Sequence, residues 1–209
     1  FTIIVASLVA MTKDNLKARL AYSTVSQLAY IVLGATLATA ATIVGGGLHI
    51  LMHAMAKITL FFCAGAIYTA LHKTEISDLD GMGKVMPFTF AAFFIAALSI
   101  IGLPPLGGSW SKWWLMTGTV DADQYWILAV FGLSSLLSIA YLLPIPIRAF
   151  MRPARDNSYT GINEAPLASV APLCLTAIGC IVLFFCAEPI VDWLMPITQD
   201  TTALAGATP

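Results

Sequence analysis

Long apolar runs alternate with short polar turns along this chain, and the alternation predicts about six membrane spans, since a helix needs about 20 residues to cross a bilayer. The first run, residues 1–11, is apolar but shorter than a span. It reads as the tail of a helix that starts upstream, so the chain is expected to be a fragment. A polar turn follows, with Asp14-Asn15 placed to start the second span over 16–38. Residues 39–47 read as a short uncharged connection, and the third span covers 48–71. The stretch 72–87 is polar and acidic (Glu75, Asp78, Asp80) but includes Lys73 and Lys84. Its Ile76, Leu79 and Met82 recur at helical spacing, which predicts a short helix lying at the interface. Residues 88–119 are apolar for about 48 Å of helix, longer than the hydrocarbon core of about 30 Å. Gly102, Pro104, Pro105, Gly107 and Gly108 interrupt that run. Prolines remove backbone donors and glycines permit non-helical angles, so one discontinuous helix is predicted, broken near mid-membrane. The fifth span covers 124–147 and closes at Pro144 and Pro146. The sixth covers 166–187, and the small-residue tail after it is expected to fray.

Within these apolar rods the polar positions are themselves periodic. Ser23, Ser26, Gln27 and Tyr30 fall at i, i+3, i+4 and i+7, one stripe that in lipid must face other helices. It serves either as interhelical hydrogen-bond glue or, with Ser26, Gln27 and Tyr30 as lining, as the wall of a water-filled path. Ser134, Ser138 and Tyr141 form a second stripe, read as packing. The sharpest pattern is His49, His53 and Lys57, a titratable side chain at every fourth residue. A step of four advances 400°, so the three lie along one helix face, drifting about 40° per step with about 6 Å of rise between neighbours. A lysine at the centre of a span costs about 2.5–3.5 kcal/mol on insertion scales, and such residues face a polar interior and mark ion paths. Broken helices likewise carry ion sites, because irregular backbone at that depth needs a covering of protein or water. Lys112 lies just past the break, among Trp110, Trp113 and Trp114. Those residues fit a lysine at an ion site and a lysine snorkelling at an aromatic interface equally well.

Composition agrees. Hydrophobic residues make up 59% of the 209, charged residues only 10%, and the mean hydropathy is +0.87, which excludes a soluble domain. No n-region or cleavage site of a signal peptide is recognisable. Cys63, Cys174, Cys180 and Cys186 lie in apolar runs without a C-x-x-C pair, and read as small core residues. Charge placement adds an orientation. Lys13, Lys17, Arg19, Lys73, Lys84, Arg148, Arg152 and Arg155 fall on one side of the spans; Asp121, Asp123, Glu188, Asp192 and Asp200 fall on the other. The positive-inside rule makes loops 12–19, 72–87 and 148–165 cytoplasmic and puts the C-terminus outside. Only Lys57 and Lys112 remain, within the membrane.

Burial penalises an ammonium ion, which lets a membrane lysine load and release a proton, and histidine begins near neutrality. Lys57 and Lys112 can thus serve as stations bridged by His49 and His53. A metal shared by His49 and His53 is disfavoured: no carboxylate lies in the span, and Lys57 would repel the cation. No cofactor motif, nucleotide loop, nucleophile triad or nucleic-acid-binding pattern is visible, so neither a cofactor nor a metal is expected, nor an enzyme.

Asn15-Leu16-Lys17-Ala18-Arg19-Leu20-Ala21-Tyr22-Ser23-Thr24-Val25-Ser26-Gln27 resembles the helix start typical of the proton-antiporter family. That family comprises large membrane subunits of complex I and of Mrp-type monovalent cation/proton antiporters. His49-x3-His53-x3-Lys57 is similar to its next motif, and Gly102-Leu103-Pro104-Pro105 with Lys112 to its discontinuous helix. The Gly-Leu-Pro-Pro-Leu-Gly-Gly form, followed by lysine rather than glutamate, looks most like the D-type subunit of the Mrp antiporters. Ser109-Trp110 departs from the phenylalanine that many members carry. The resemblance, over about residues 1–190, implies an all-α membrane protein, the C-terminal portion of a fourteen-helix fold with inverted five-helix repeats. It implies that Lys57 and Lys112 are the central and terminal lysines of the second repeat, His49 and His53 the bridging histidines, and Lys17 a charge at the cytoplasmic end. The function implied is proton translocation in a multisubunit sodium (or potassium)/proton antiporter of the bacterial inner membrane, with other membrane subunits as partners. The alternatives are a proton-pumping subunit of an NADH–quinone oxidoreductase and a purely structural membrane subunit.

Overall fold

Short polar side chains set where the second and third helices begin. Asn15 accepts a hydrogen bond from the Ala18 amide and starts α2, Leu16–Leu37. Thr39 accepts from the Thr42 amide while Thr42 accepts from the Thr39 amide, a reciprocal cap that starts α3, Ala40–Leu71. In this computed structural model, which describes residues 1–154 and 161–205, with side chains described through Thr198, the remaining helices are α1 (Thr2–Thr12), α4 (Pro87–Ile101), α5 (Gly108–Asp121), α6 (Tyr125–Leu142), α7 (Pro144–Met151), α8 (Leu167–Phe185) and α9 (Ala187–Ala205). Among the described residues, four stretches are long and apolar enough to cross a membrane: α2, α3, α6 with α7 (Tyr125–Met151), and α8. Thr2–Thr12 and Pro87–Ile101 are shorter apolar helices.

Several boundaries differ from the sequence reading, each for a local reason. Residues 40–47 are helical, not a connection, because the Thr39 cap starts α3 early and close packing makes use of its glycines: a Cβ on Gly45 would lie 2.7 Å from the Leu115 amide nitrogen of α5. Pro144 does not close the fifth span. It occupies the first turn of α7, where its missing N–H is no loss. Residues 72–87 form two 3-10 turns, Ile76–Leu79 and Met82–Lys84, with Ile76, Leu79 and Met82 all buried, so this segment tucks into the bundle instead of lying on it. The chain after residue 187 continues as a helix, Ala187–Ala205, and the end of the small-residue tail expected to fray, residues 206–209, lies outside the described residues. Cys63 and Cys180 are buried, Cys174 half-buried, and Cys186, expected in the core, is exposed. Arg155, Asp156 and Asn157 lie outside the described residues, as does the side chain of Asp200.

α3 is the axis. It packs against α2, α4, α5, α8 and α9, and its Ala56, Leu60, Cys63 and Ile67 enter the largest apolar core with Phe90, Phe93 and Leu173. At one end the loops are zipped together. Leu16 donates to Thr74 O, Ile76 to Asp14 O, and Ser77 Oγ to Asp14 Oδ2 at 2.6 Å. Arg148 grips Asp80 through Nε at 2.7 Å, with Arg152 at 3.4 Å. These hydrogen bonds, Arg148's above all, hold the Asp80 carboxyl below its ordinary value. The start of α4 is capped from a distance: Glu164 accepts from the Phe88 amide and from Thr89 Oγ1.

Candidate proton path

Lys57 and Lys112 are both buried inside the bundle, 6% and 4% exposed. Neither is paired with a carboxylate among the described residues. Each is instead solvated by one hydroxyl and one main-chain carbonyl. Lys57 Nζ donates to Ser23 Oγ at 2.7 Å and to Leu20 O at 3.2 Å, both on α2. Ser23 in turn accepts from the Tyr141 hydroxyl of α6 at 3.0 Å. Leu20 O already accepts from Thr24 Oγ1 within its own helix.

Lys112 depends on the break. α4 ends at Ile101 with Gly102 in the left-handed region (φ 92), and α5 restarts at Gly108. The residues three and four places after Ile101 are Pro104 and Pro105, which carry no N–H, so the Ile101 carbonyl finds no partner in a continuing helix. Lys112 Nζ donates to Ile101 O at 3.0 Å and to Ser135 Oγ of α6 at 2.9 Å. A Cβ on Gly108 would collide with Ser99 O, so the two halves meet at a distance that only glycine permits. Lys112 is 4% exposed and does not snorkel to the surface. Trp110 and Trp113 are exposed around it, but the ammonium turns inward, 5.5 Å from the centre of the Tyr30 ring. A cavity of about 340 Å³ opens beside it, between the break and α6.

Between the lysines stand the aromatic groups of α2 and α3. Tyr30 stacks on His49 at 5.5 Å, and His49 on His53 at 5.5 Å. His49 Nδ1 pairs with Ser111 Oγ at 3.0 Å, next to Lys112 in the chain. His49 Nε2, both ring nitrogens of His53 and both polar atoms of Gln27 are buried without a hydrogen-bond partner in the protein. Buried polar atoms of this kind are ordinarily met by ordered water. The structure therefore brings together Lys57, Lys112, His49, His53, Gln27 and Tyr30. Ser26 is spent elsewhere, in a knot with Ser7 (2.8 Å), Ile3 O (2.8 Å) and Ser134 (3.5 Å) that ties α1 to α2 and α6. Lys17 is exposed at the start of α2, over the Tyr68 ring at 5.2 Å, and no hydrogen bond joins it to the group.

Three participants do not stand out from sequence. Ser135 lies one residue off the periodic stripe of α6. Tyr141 lies on that stripe but reads as packing. Arg19 reads as a loop charge, yet it is half-buried and donates to the main-chain oxygens of Lys13 (2.8 Å) and Tyr141 (3.1 Å), above the Lys57 site. The arginine's place in the Asn15–Gln27 motif is the available signal.

Residues 1–138 match the model of the NADH:quinone oxidoreductase/Mrp antiporter transmembrane family. The chain is 36% identical to the N subunit of the NADH-quinone oxidoreductase of Desulforudis audaxviator, over 91% of this chain and 40% of that protein. It is 30% identical to the D subunit of the Na(+)/H(+) antiporter of Alkalihalophilus pseudofirmus, over 91% of this chain and 38% of that one. Its fold is similar to a chain of the Mrp complex from Dietzia sp., with a TM-score of 0.85 at 24% identity, covering 95% of this chain and 45% of the other. The chain thus spans less than half the length of these relatives.

Proposed function

The chain belongs to the NADH:quinone oxidoreductase/Mrp antiporter transmembrane family, and from that premise we propose that it conducts protons between Lys57 and Lys112 as part of a multisubunit monovalent cation/proton antiporter, exchanging sodium or potassium for protons. The observation that carries this reading is the pair of buried lysines, each held by a hydroxyl and a carbonyl and by no carboxylate. A buried ammonium with neutral partners gains little from staying charged, so both protonation states are within reach. His49 and His53, stacked between the lysines with ring nitrogens unpaired, supply groups that accept and release protons on the way. In this reading Lys17 is a charge at the mouth of the path, not a station. The basic loops 12–19, 72–87 and 148–165 face the cytoplasm and the C-terminus lies outside, in a bacterial inner membrane and beside other membrane subunits. The chain carries out no bond-making chemistry of its own.

A second reading has its own support. The 36% identity to an N subunit of an NADH-quinone oxidoreductase favours the same path driven by redox energy from partner subunits. Everted vesicles carrying the full-length protein with its neighbouring subunits, in a host without antiporters, separate the two. If sodium or potassium collapses an imposed pH gradient, and Lys57→Ala abolishes the effect, the antiporter reading stands. A Lys57-dependent gradient built by NADH oxidation, with no response to either cation, establishes the redox-driven one.

A further inference from the structure

The histidines of α3 are not the best-connected feature next to Lys57. Neither ring nitrogen of His53 has a hydrogen-bond partner in the protein, whereas the Lys57 ammonium opens onto an unbroken series of hydroxyls leading to α6. Lys57 Nζ meets Ser23 Oγ at 2.7 Å, Ser23 meets the Tyr141 hydroxyl at 3.0 Å, and Tyr141 meets Ser138 Oγ at 3.1 Å. All three hydroxyl residues are fully buried. One helical turn before Ser138 on α6 stands Ser135, whose hydroxyl already receives the Lys112 ammonium at 2.9 Å. Tyr30 of α2 lies against this part of α6, its hydroxyl donating to Phe131 O at 3.3 Å and close to Ser135. The buried Gln27 carboxamide lies close to the hydroxyls of both Tyr30 and Tyr141, with its nitrogen and oxygen unpaired.

We propose that α6 carries a second proton route between the two lysines, in parallel with the histidines of α3, running from Lys57 through Ser23, Tyr141 and Ser138 to Ser135 and Lys112. The proposal rests on the proton-conducting reading above and adds residues to it. Hydroxyls suit the task because each can accept one proton as it gives up another, so the net transfer leaves every group neutral. When Lys57 is a neutral amine, Ser23 gives it a proton, Tyr141 replenishes Ser23, and Ser138 replenishes Tyr141. Ser138, whose hydroxyl otherwise donates to Ser134 O, takes its replacement proton from water in the interval between it and Ser135, beside Gln27. That water takes one from Ser135, and the Lys112 ammonium replenishes Ser135 and is left a neutral amine. Rotation of the three hydroxyls then resets the series, and the reverse order carries a proton away from Lys57. The spacing supports two parallel rails. His49 to Lys57 covers about 12 Å of α3, and Ser135 to Tyr141 about 9 Å of α6, at 1.5 Å per residue.

The test is proton flux in proteoliposomes holding the full-length protein in its complex, comparing Tyr141→Phe, His53→Ala, their double variant and Lys57→Ala. Tyr141→Phe keeps the ring and removes one hydroxyl, and Ser138→Ala repeats the cut at a smaller side chain. Parallel routes predict that each single variant loses no more than about tenfold, while the double falls by about 100-fold, the size of a lost acid–base group. The pH at half-maximal flux should not move in Tyr141→Phe, whereas a residue that only positions Lys57 would shift it. A Tyr141→Phe variant equal to its parent in both backgrounds overturns the proposal. So does one in which the single change is as damaging as the double, which would place all the groups in one series. Flux that survives Lys57→Ala overturns the proton-conducting reading itself, and the second route with it.

Discussion

Lys57 and Lys112 answer the same physical demand in two different ways. A buried ammonium needs acceptors, and in an unbroken helix the main-chain carbonyls are already engaged. Lys57, in the middle of the 32-residue α3, therefore takes its partners from a neighbouring helix: Ser23 Oγ, and the Leu20 carbonyl that it shares with Thr24. Lys112 sits beside a helix interrupted by Pro104 and Pro105, and takes the unclaimed Ile101 carbonyl together with Ser135. The first site is built from side chains on continuous rods. The second is built by breaking a rod. The break is thus a means of providing an oxygen in the middle of an apolar bundle without adding a charge.

If both lysines are stations, losing either should have the largest effect. Lys112→Ala and Lys57→Ala are each expected to lower proton flux by about 100-fold or more, measured in vesicles with a pH-sensitive dye. A large loss at one lysine alone would break the equivalence.

The two regions should differ next in their tolerance of bulk. Gly108→Ala places a Cβ on Ser99 O at the break; it is expected to cost about 3 kcal/mol, the upper end of ordinary overpacking, read as a lowered melting temperature in detergent. Gly46→Ala, in α3 with nothing within 4 Å of the added carbon, should instead stabilise by up to about 1 kcal/mol through helix propensity.

A finer distinction lies in the hydroxyls. Ser23→Ala leaves Lys57 only a carbonyl that is already shared, so flux should fall by about tenfold, equivalent to the 1.4 kcal/mol or so of one charge-assisted hydrogen bond. Ser135→Ala leaves Lys112 its unclaimed Ile101 carbonyl, and the same assay should show a loss of about threefold.

The smallest effect is expected far from both sites, at the loop clamp. The Asp80 carboxyl is held below its ordinary value by Arg148. A carboxyl lowered on folding contributes stability above its unfolded pKa, about 3.9, and loses that contribution as pH falls through the folded value. The melting temperature of the parent should therefore drop toward that of Asp80→Asn only below about pH 4, and the two should differ by a constant amount above it.

The same contrast separates what is legible in the sequence from what is not. The Lys57 face is legible because a four-residue repeat of titratable side chains is a local signal, and the stripe of Ser23, Ser26, Gln27 and Tyr30, whose first member holds the lysine, is equally periodic. The break is legible because Gly102, Pro104 and Pro105 act on their own backbone. What joins the two is not. Tyr141 meets Ser23 across 118 positions of chain and Ser135 meets Lys112 across 23, and no periodicity reports which stripe faces which. The glycines at 45–47 mislead for a related reason: as a local signal they suggest a turn, but Gly45 lies where α5 presses on α3, and packing overrides propensity. Pro144 likewise suggests a stop, when at the first turn of a helix it is a start.

In the proposed function, passage of a proton through the Lys57 amine is the step on which both proposed routes depend. It is tested by replacing Lys57 with methionine, which keeps the length and apolar stem of the side chain and removes only the group that binds a proton, in the full-length complex reconstituted in proteoliposomes. The complex is expected to assemble as before, and its proton flux to fall to the leak of protein-free liposomes. An assembled complex whose Lys57→Met flux equals that of its parent would show that the proton does not pass through this amine.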